Sequence, residues 1–170
     1  MKKMLTLFFV IVSLGTWSYA EEQPDLSFKD INGTTVQVKG ADQGLDIPSL
    51  KGKVVFLEFF GHKCPPCLKS IPHLIELQEK YKDKLAIVSI EVQGMNEAEL
   101  KDFVSQKGIN YTVSTEKNAR MLVNYIAVRA EWSGSIPFMV AMDTKGDVQS
   151  VQAGMIPQDY LENLLEQLSK

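Results

Sequence analysis

Apolar residues recur along the chain with two different spacings, which predict an alternation of strands and helices. Short runs of continuous or alternating apolar residues predict strands at 26–28, 35–38, 54–60, 85–92, 111–114, 138–142 and 148–153. Apolar residues spaced three and four apart predict helices at 64–82, 118–125 and 158–168. Asn96 and Glu99, whose side chains can each accept the other residue's amide, predict the start of a helix at 96–107, and Gly108 predicts its end. The segment 40–53, rich in Gly, Asp and Pro, is predicted to be a loop.

This order of elements predicts an α/β fold with a mixed central sheet flanked by helices. The strand at 54–60 is apolar except for Glu58, which is typical of a central strand covered on both faces. The first two strands flank a turn at 30–33 and predict an N-terminal β-hairpin, and the last two strands predict a second hairpin. One domain over residues 21–170 is the simplest organisation.

Residues 1–20 have the pattern of a bacterial secretory signal peptide. Two lysines precede an apolar run at 4–14, and the small residues Ser18 and Ala20 stand where a signal peptidase that cleaves after Ala20 requires them. The run is too short to span a bilayer comfortably, and an uncleaved membrane anchor is the alternative. We therefore expect a periplasmic or otherwise extracytoplasmic protein that is soluble after cleavage.

The charge of the chain does not favour a nucleic-acid partner. The 18 Lys and Arg residues and the 21 Asp and Glu residues give a formal net charge of −3, and the two signs are interspersed without a basic stripe. We therefore expect no nucleic-acid binding. Because no dimerisation segment is evident, we also expect a monomer.

Cys64 and Cys67 are the two cysteines of the chain. Cysteines of an exported protein commonly form a structural disulfide. A bridge that encloses only two residues, however, removes little conformational entropy from the unfolded chain and stabilises the fold weakly. The spacing therefore favours a redox-active disulfide, with no metal or other cofactor.

The predicted helix at 64–82 begins at the first cysteine, which favours a reactive thiolate. If Cys64 caps this helix, its sulfur faces unpaired amides and the positive end of the helix dipole. Pro65 suits the first helical position, and the amide of Cys67 at the third position can donate to the Cys64 sulfur. Such surroundings lower a cysteine pKa from about 8.5 to roughly 3.5–7.5. We predict that Cys64 is the nucleophile and that Cys67 resolves the mixed disulfide.

Glu58 is the candidate proton acceptor for Cys67. It lies six residues before Cys64 in an otherwise apolar strand, where burial raises the pKa of a carboxyl group and suits it to proton transfer near neutral pH. The alternatives are a Glu58 that pairs with a lysine or that points to solvent.

Together these residues resemble the thioredoxin superfamily, and within it the exported TlpA/ResA/DsbE-like branch. The resemblance covers nearly all of the chain after residue 20. It is carried by the segment 52–57, the Cys64-Pro65-Pro66-Cys67 motif, Pro72, Ile136-Pro137, Gly146 and Gly154. It implies a thioredoxin-like fold and a thiol-disulfide oxidoreductase activity.

The resemblance also implies roles for individual residues and partners. Pro137 is expected to be a cis-proline that faces the disulfide, and the backbone of Ile136 is expected to pair with an extended substrate segment. Glu58 falls at the position of the buried acid of thioredoxins. The substrates would be protein thiols and disulfides, the electron donor a membrane thiol reductase, and a frequent role of such proteins is cytochrome c maturation.

The sequence departs from the family pattern at three places. Lys63, with His62 beside it, replaces the aromatic residue usual before the first cysteine; the two side chains either favour the thiolate or are solvated loop residues. Several relatives have an acidic residue shortly after the second cysteine, where this chain has Lys69-Ser70. The chain is also longer than usual between 125 and 137, where Trp132 is a candidate substrate-binding residue or a packed loop residue.

Other activities are compatible with the same cysteines. A copper-binding chaperone would use both and a histidine, but we expect His73 to turn away from them on its helix, and His62 alone completes no recognised metal spacing. A thiol peroxidase usually has a hydroxyl residue at the position of Gly61. Within thiol-disulfide exchange we favour the reduction of disulfides over their formation or isomerisation, a direction that depends on the reduction potential of the pair.

Overall fold

The computed structural model describes residues 23–170, so the predicted signal peptide lies outside it. From residue 54 onwards, the strands and helices follow one another in the predicted order. In chain order they are β1 (Phe28–Lys29), β2 (Thr35–Val36), β3 (Lys39–Gly40), β4 (Leu45–Asp46), a short 3-10 helix (Pro48–Leu50), β5 (Val54–Phe60), α1 (Pro65–Lys80), β6 (Leu85–Glu91), α2 (Glu97–Lys107), β7 (Thr112–Thr115), α3 (Arg120–Arg129), β8 (Phe138–Met142), β9 (Val148–Ala153) and α4 (Gln158–Leu168). No helix within residues 23–170 combines the length and the apolar character that crossing a membrane requires.

The centre of the fold is a five-stranded sheet with the order β7-β6-β5-β8-β9. β5, β6 and β7 are mutually parallel, whereas β8 runs antiparallel to both β5 and β9. Every residue of β5, β6 and β8 is buried, which explains why these segments are continuous apolar runs in the sequence. The mixed sheet and its flanking helices confirm the predicted α/β class.

Alternation of side chains along β5 separates two cores. On one face, Val55, Leu57 and Phe59 pack with residues of α3 and of the N-terminal segment. On the opposite face, Val54 and Phe56 pack with residues of α1 and α4. Glu58 has the same parity as Phe56, so its side chain lies on the face that α1 covers.

The N-terminal segment contains the predicted hairpin and an additional one. β1 pairs with β2 around Asp30, whose Oδ1 accepts the N–H groups of Asn32 and Thr34, both at 2.8 Å. The loop predicted at 40–53 was wrong in part, because β4 lies within it and pairs with β3. Leu45 of β4 packs into the core, and its N–H donates to the carbonyl oxygen of Gly146 at 3.0 Å. This short strand thus depends on a distant turn that the local sequence does not report.

Helix α3 extends one turn beyond its predicted end at residue 125. Ile126 is buried against the sheet, whereas Val128 is 80% exposed. Because Val128 is apolar but exposed, it interrupts the amphipathic pattern from which the end of the helix was predicted, although the helix itself continues to Arg129. The loop that contains Trp132 is therefore shorter than expected.

Helix α2 begins and ends at the residues that the sequence indicates. Asn96 Oδ1 accepts the N–H of Glu99 at 3.0 Å, and Glu99 Oε2 accepts the N–H of Asn96 at 3.1 Å. This is a reciprocal capping box. Gly108 ends the helix with a φ of 66°, in the left-handed region that favours glycine.

Replacement Asn96→Ala is expected to lower the free energy of unfolding by about 1 kcal/mol, because the first turn of α2 loses its side-chain acceptor. Urea denaturation of the oxidised protein, followed by far-ultraviolet circular dichroism, measures the change. The control is Lys101→Ala, at an exposed position inside the same helix, which should alter the free energy by less than about 0.5 kcal/mol. Equal losses in the two variants would contradict a role for the cap.

Candidate active site

Cys64 is the N-cap residue of α1. Pro65 and Pro66 occupy the first helical positions, where an N–H would have no partner within the helix. The Cys64 sulfur accepts the N–H of Cys67 at 3.3 Å. The amide and the dipole of the helix therefore both act on this sulfur, and they stabilise negative charge there when the disulfide is open.

A disulfide bond joins Cys64 and Cys67. Cys64 is 5% exposed and Cys67 is fully buried, so Cys64 is the more accessible of the two. The Sγ atom of Cys64 lies 3.8 Å from the carbonyl oxygen of Ile136. A disulfide sulfur has no hydrogen to donate, so this is a contact in the oxidised protein. Reduction would supply a thiol that can donate to the same oxygen.

Glu58 lies in the middle of β5 and is 2% exposed. In the sheet register it stands between Ser89 on β6 and Met139 on β8. Ser89 Oγ donates to Glu58 Oε2 at 2.7 Å, so its hydrogen-bond partner is a serine and not a lysine. Burial raises the pKa of Glu58 to about 7, and the hydrogen bond from Ser89 opposes part of this shift. The carboxyl group can therefore gain or lose a proton near neutral pH.

A second buried carboxylate, Glu91, holds the loop that precedes the redox pair. Its Oε1 accepts from His62 Nδ1 at 2.8 Å and from the N–H of Gln93 at 3.0 Å, and its Oε2 accepts the N–H of Met95 at 2.9 Å. The side chain of Gln93 in turn accepts the N–H of Lys63 at 2.8 Å. Because Glu91 faces the imidazole, a positive charge on His62 is balanced locally and favours the thiolate less than an unpaired cation would.

The sequence analysis overlooked Glu91, although a signal was present. Glu91 is an acidic residue near the end of the apolar run at 85–92, just as Glu58 interrupts the run at 54–60. A charge at such a position is costly unless it is paired. The same rule that singled out Glu58 would have found it.

The loop before β8 brings Ile136 and Pro137 to the redox pair. The peptide bond between them is cis. The side chain of Ile136 is half-buried and packs with the cluster that contains Cys64 and Cys67. The carbonyl oxygen of Pro137 accepts the N–H of Gly154 at 2.7 Å, which ties the loop to the end of β9.

Trp132 is a half-buried residue that supports this loop from inside the molecule. Its ring centroid lies 4.8 Å from that of Phe59 and 5.7 Å from that of Phe138. Its Nε1–H donates to the carbonyl oxygen of Ser135 at 2.7 Å. Trp132 is thus packed within the loop, and its role in substrate binding stays a prediction.

The remaining candidates are the two histidines. His62 is held by Glu91, as described above. His73, which we expected to turn away from the cysteines, lines a small cavity that also contains Glu58 in its wall. Within residues 23–170, no three His, Cys, Asp or Glu side chains come together in a group that could hold a metal ion.

A sequence profile described as the AhpC/TSA family matches residues 20–151. The chain belongs to the AhpC/TSA family. The chain is 29% identical over 150 residues to a Bacillus thuringiensis (strain Al Hakam) protein named thiol-disulfide oxidoreductase ResA, and the match covers 88% of this chain and 78% of that protein.

Solved structures resemble this AhpC/TSA family member over most of its length. A thioredoxin family thiol:disulfide interchange protein from Chlorobium tepidum TLS has a TM-score of 0.69 at 24% identity, with 88% of this chain and 96% of that chain covered. A secreted thiol-disulfide isomerase from Corynebacterium glutamicum has a TM-score of 0.70 at 16% identity, with 86% and 84% covered. These similarities confirm the predicted thioredoxin-like fold. The activity follows from the relative named thiol-disulfide oxidoreductase ResA and from the bonded cysteine pair: this chain is a thiol-disulfide oxidoreductase.

The stability of the oxidised protein is expected to fall as the pH rises between about 4.5 and 7. The pKa of Glu58 is raised from 4.5 to about 7 on folding, so in this window the folded protein keeps a proton that the unfolded chain releases. The contribution of Glu58 to the free energy of unfolding is fully present below the pKa of Glu58 in the unfolded chain. It is lost as the pH rises through the pKa in the folded protein, a loss on the order of 3 kcal/mol.

Glu58→Gln, which imitates the protonated acid, should remove this decrease. Urea denaturation at several pH values measures the free energy of unfolding of the unmodified protein, of Glu58→Gln and of the control Glu166→Gln. The control changes an exposed residue of α4. The control should follow the unmodified protein. Parallel curves for all three proteins would show that Glu58 titrates alike in the folded and unfolded states.

Proposed function

We propose that this thiol-disulfide oxidoreductase reduces disulfides of exported proteins, with Cys64 as nucleophile, Cys67 as resolving thiol and Glu58 as proton acceptor. The observation that carries the proposal is the position of the Cys64 sulfur at the start of α1, where it accepts the amide of Cys67 at 3.3 Å. Helix amides and the helix dipole stabilise a thiolate in such a position. The burial of Cys67 then leaves Cys64 as the sulfur that meets the substrate.

The reaction transfers two electrons in two exchange steps. The Cys64 thiolate attacks one sulfur of the substrate disulfide, a bond forms between protein and substrate, and the other substrate sulfur leaves as a thiolate. Cys67 then loses its proton to Glu58 and attacks the Cys64 sulfur. This attack closes the Cys64–Cys67 disulfide and releases the second substrate sulfur. The substrate is reduced and the protein is oxidised, without any further cofactor.

The loop with Ile136, Pro137 and Trp132 is proposed to receive the substrate. The carbonyl oxygen of Ile136 lies 3.8 Å from the Cys64 sulfur, so an extended segment that pairs with this backbone would bring its own sulfur close to Cys64. Trp132 contributes through its hydrogen bond to Ser135, which holds the loop in this position.

The cellular setting is proposed from the sequence. A signal peptide at 1–20 would send the domain at 21–170 to the periplasm or another extracytoplasmic compartment. There, as in the TlpA/ResA/DsbE-like proteins that the motifs resemble, a membrane thiol reductase would return the pair to the dithiol form. Apocytochrome c, whose cysteines must be reduced before haem attachment, is one substrate that fits this role. We propose that the protein acts as a monomer.

Gly61 argues against the peroxidase alternative. A side chain at this position would collide with that of Gln93, so a hydroxyl residue there would require the Gln93 side chain to move. No observation of the described residues favours peroxide as the oxidant over a protein disulfide.

The Cys67→Ser variant is expected to accumulate a covalent complex with a disulfide-containing protein, because the mixed disulfide formed by Cys64 is no longer resolved. The Cys64→Ser variant should form no complex and have no activity. Both are measured with reduced variants and oxidised insulin, by non-reducing electrophoresis and by insulin turnover with dithiothreitol as electron source. Full turnover by Cys67→Ser would refute a mechanism with two cysteines.

The direction of catalysis is tested by the reduction potential of the Cys64–Cys67 pair, measured by equilibration with dithiothreitol or glutathione buffers. For a reductant we expect a value of about −270 mV or slightly above, in the range of thioredoxins. A value of about −120 mV is typical of a protein that introduces disulfides, and would make this protein an oxidant.

A further inference from the structure

A small cavity lies between α1 and the start of β8, and Glu58 forms part of its wall. The volume that the centre of a water-sized sphere can occupy is about 10 Å³, which is enough for roughly one water molecule. Helix α1 contributes two polar side chains to the wall, Ser70 and His73. The rest of the wall has no titratable group and is formed by Leu74, Pro137, Met139, Gly154, Ile156 and Leu161.

Glu58 needs a route by which its proton reaches solvent. In the proposed reaction it receives one proton from Cys67 in each turnover and must release that proton before the next. Direct release to water is restricted, because Glu58 is 2% exposed. A group on the path must therefore be able both to accept and to donate a proton.

The neighbours of Glu58 on the side of β6 and β7 do not provide that group. Ser89, which donates to Glu58, is 1% exposed. Tyr111 precedes β7, and burial together with the charge of Glu58 raises the pKa of its phenol above the ordinary value. Tyr111 therefore stays protonated near neutral pH and accepts no proton from Glu58.

His73 has the properties that the route requires. It lines the same cavity as Glu58 and is half-buried, so part of it is also exposed to solvent. Apart from Glu58, it is the one titratable side chain among the described residues that line this cavity. Histidine accepts and releases protons near neutral pH, and its two ring nitrogens can do so on opposite sides.

We propose that His73 passes protons between Glu58 and solvent through a water molecule in the cavity. The proposal rests on the proposed roles of Cys67 and Glu58. In each turnover one proton moves from the Cys67 sulfur to a Glu58 carboxylate oxygen, then to the water and to one nitrogen of His73. The other nitrogen releases a proton to the buffer. No electron moves in this relay, and His73 acts through Glu58 without touching the reacting sulfurs.

The experiment follows the two exchange steps separately with dithiobis-nitrobenzoate, which releases one coloured thiolate in each step. Reduced protein is mixed with the probe in a stopped-flow instrument at pH 7 and low buffer concentration. The first release reports the attack by Cys64, and the second reports the attack by Cys67. His73→Gln, which retains volume and polarity, is expected to slow the second release roughly tenfold or more and to leave the first unchanged.

Chemical rescue separates proton transfer from a structural role. In His73→Ala, added imidazole should occupy the space left by the side chain and restore most of the second-step rate. The double variant Glu58→Gln/His73→Gln should be no slower than Glu58→Gln alone, because both residues serve one path. Lys69→Ala changes an exposed residue of the same helix outside the cavity, and is the control that should show neither slowing nor rescue.

Each outcome bears on a different claim. An unchanged rate of the second step in His73→Gln overturns the relay. So does a slow second step in His73→Ala that added imidazole does not restore. A double variant Glu58→Gln/His73→Gln that is slower than Glu58→Gln alone overturns it as well. Those results leave the first step intact and therefore leave the proposed function standing. Failure of the unmodified protein to release the first thiolate through Cys64 would instead overturn the proposed function.

Discussion

Strand β5 lies in the middle of the sheet, with α1 and α4 on one face and α3 and the N-terminal segment on the other, and all seven of its residues are buried. A carboxyl group on this strand is consequently removed from water, and its hydrogen bond comes from Ser89 of the neighbouring strand. The raised pKa of Glu58 follows from the position of β5. The same strand delivers the chain to the start of α1, where the redox pair lies.

Two ionisable groups of the proposed reaction, Cys64 and Glu58, have opposite surroundings. At Cys64 a helix start supplies an N–H and a positive dipole end, which favour the ionised form of a thiol. At Glu58 burial favours the neutral form of an acid. In the proposed reaction Cys64 therefore attacks as a thiolate, and Glu58, with a pKa of about 7, accepts the proton of Cys67 near neutral pH. One strand-to-helix connection creates both surroundings.

Anchored loops hold the sulfur of Cys64 from two sides. On one side Glu91 binds His62, in the loop that precedes α1, and the N–H of Gln93, in the segment that follows β6. On the other side, Trp132 packs on Phe59 and holds the backbone of Ser135, next to the residue whose carbonyl oxygen contacts the sulfur. A site supported in this way keeps its geometry during exchange, because its loops are tied to buried side chains.

Local patterns by themselves determined the strand at 54–60, the helix that begins at Cys64, the Asn96–Glu99 capping box and the two hairpins. Periodicity, caps and turn residues act between positions a few residues apart, so one segment contains all the information. Only the tertiary structure decided that Ser89, 31 residues away, is the partner of Glu58, and that Glu91, 29 residues away, holds His62. It also decided that β4 forms against Gly146 and that His73 faces the cavity of Glu58. These pairs depend on strand register and on how α1 packs across the sheet, and no local spacing encodes which distant residues then meet.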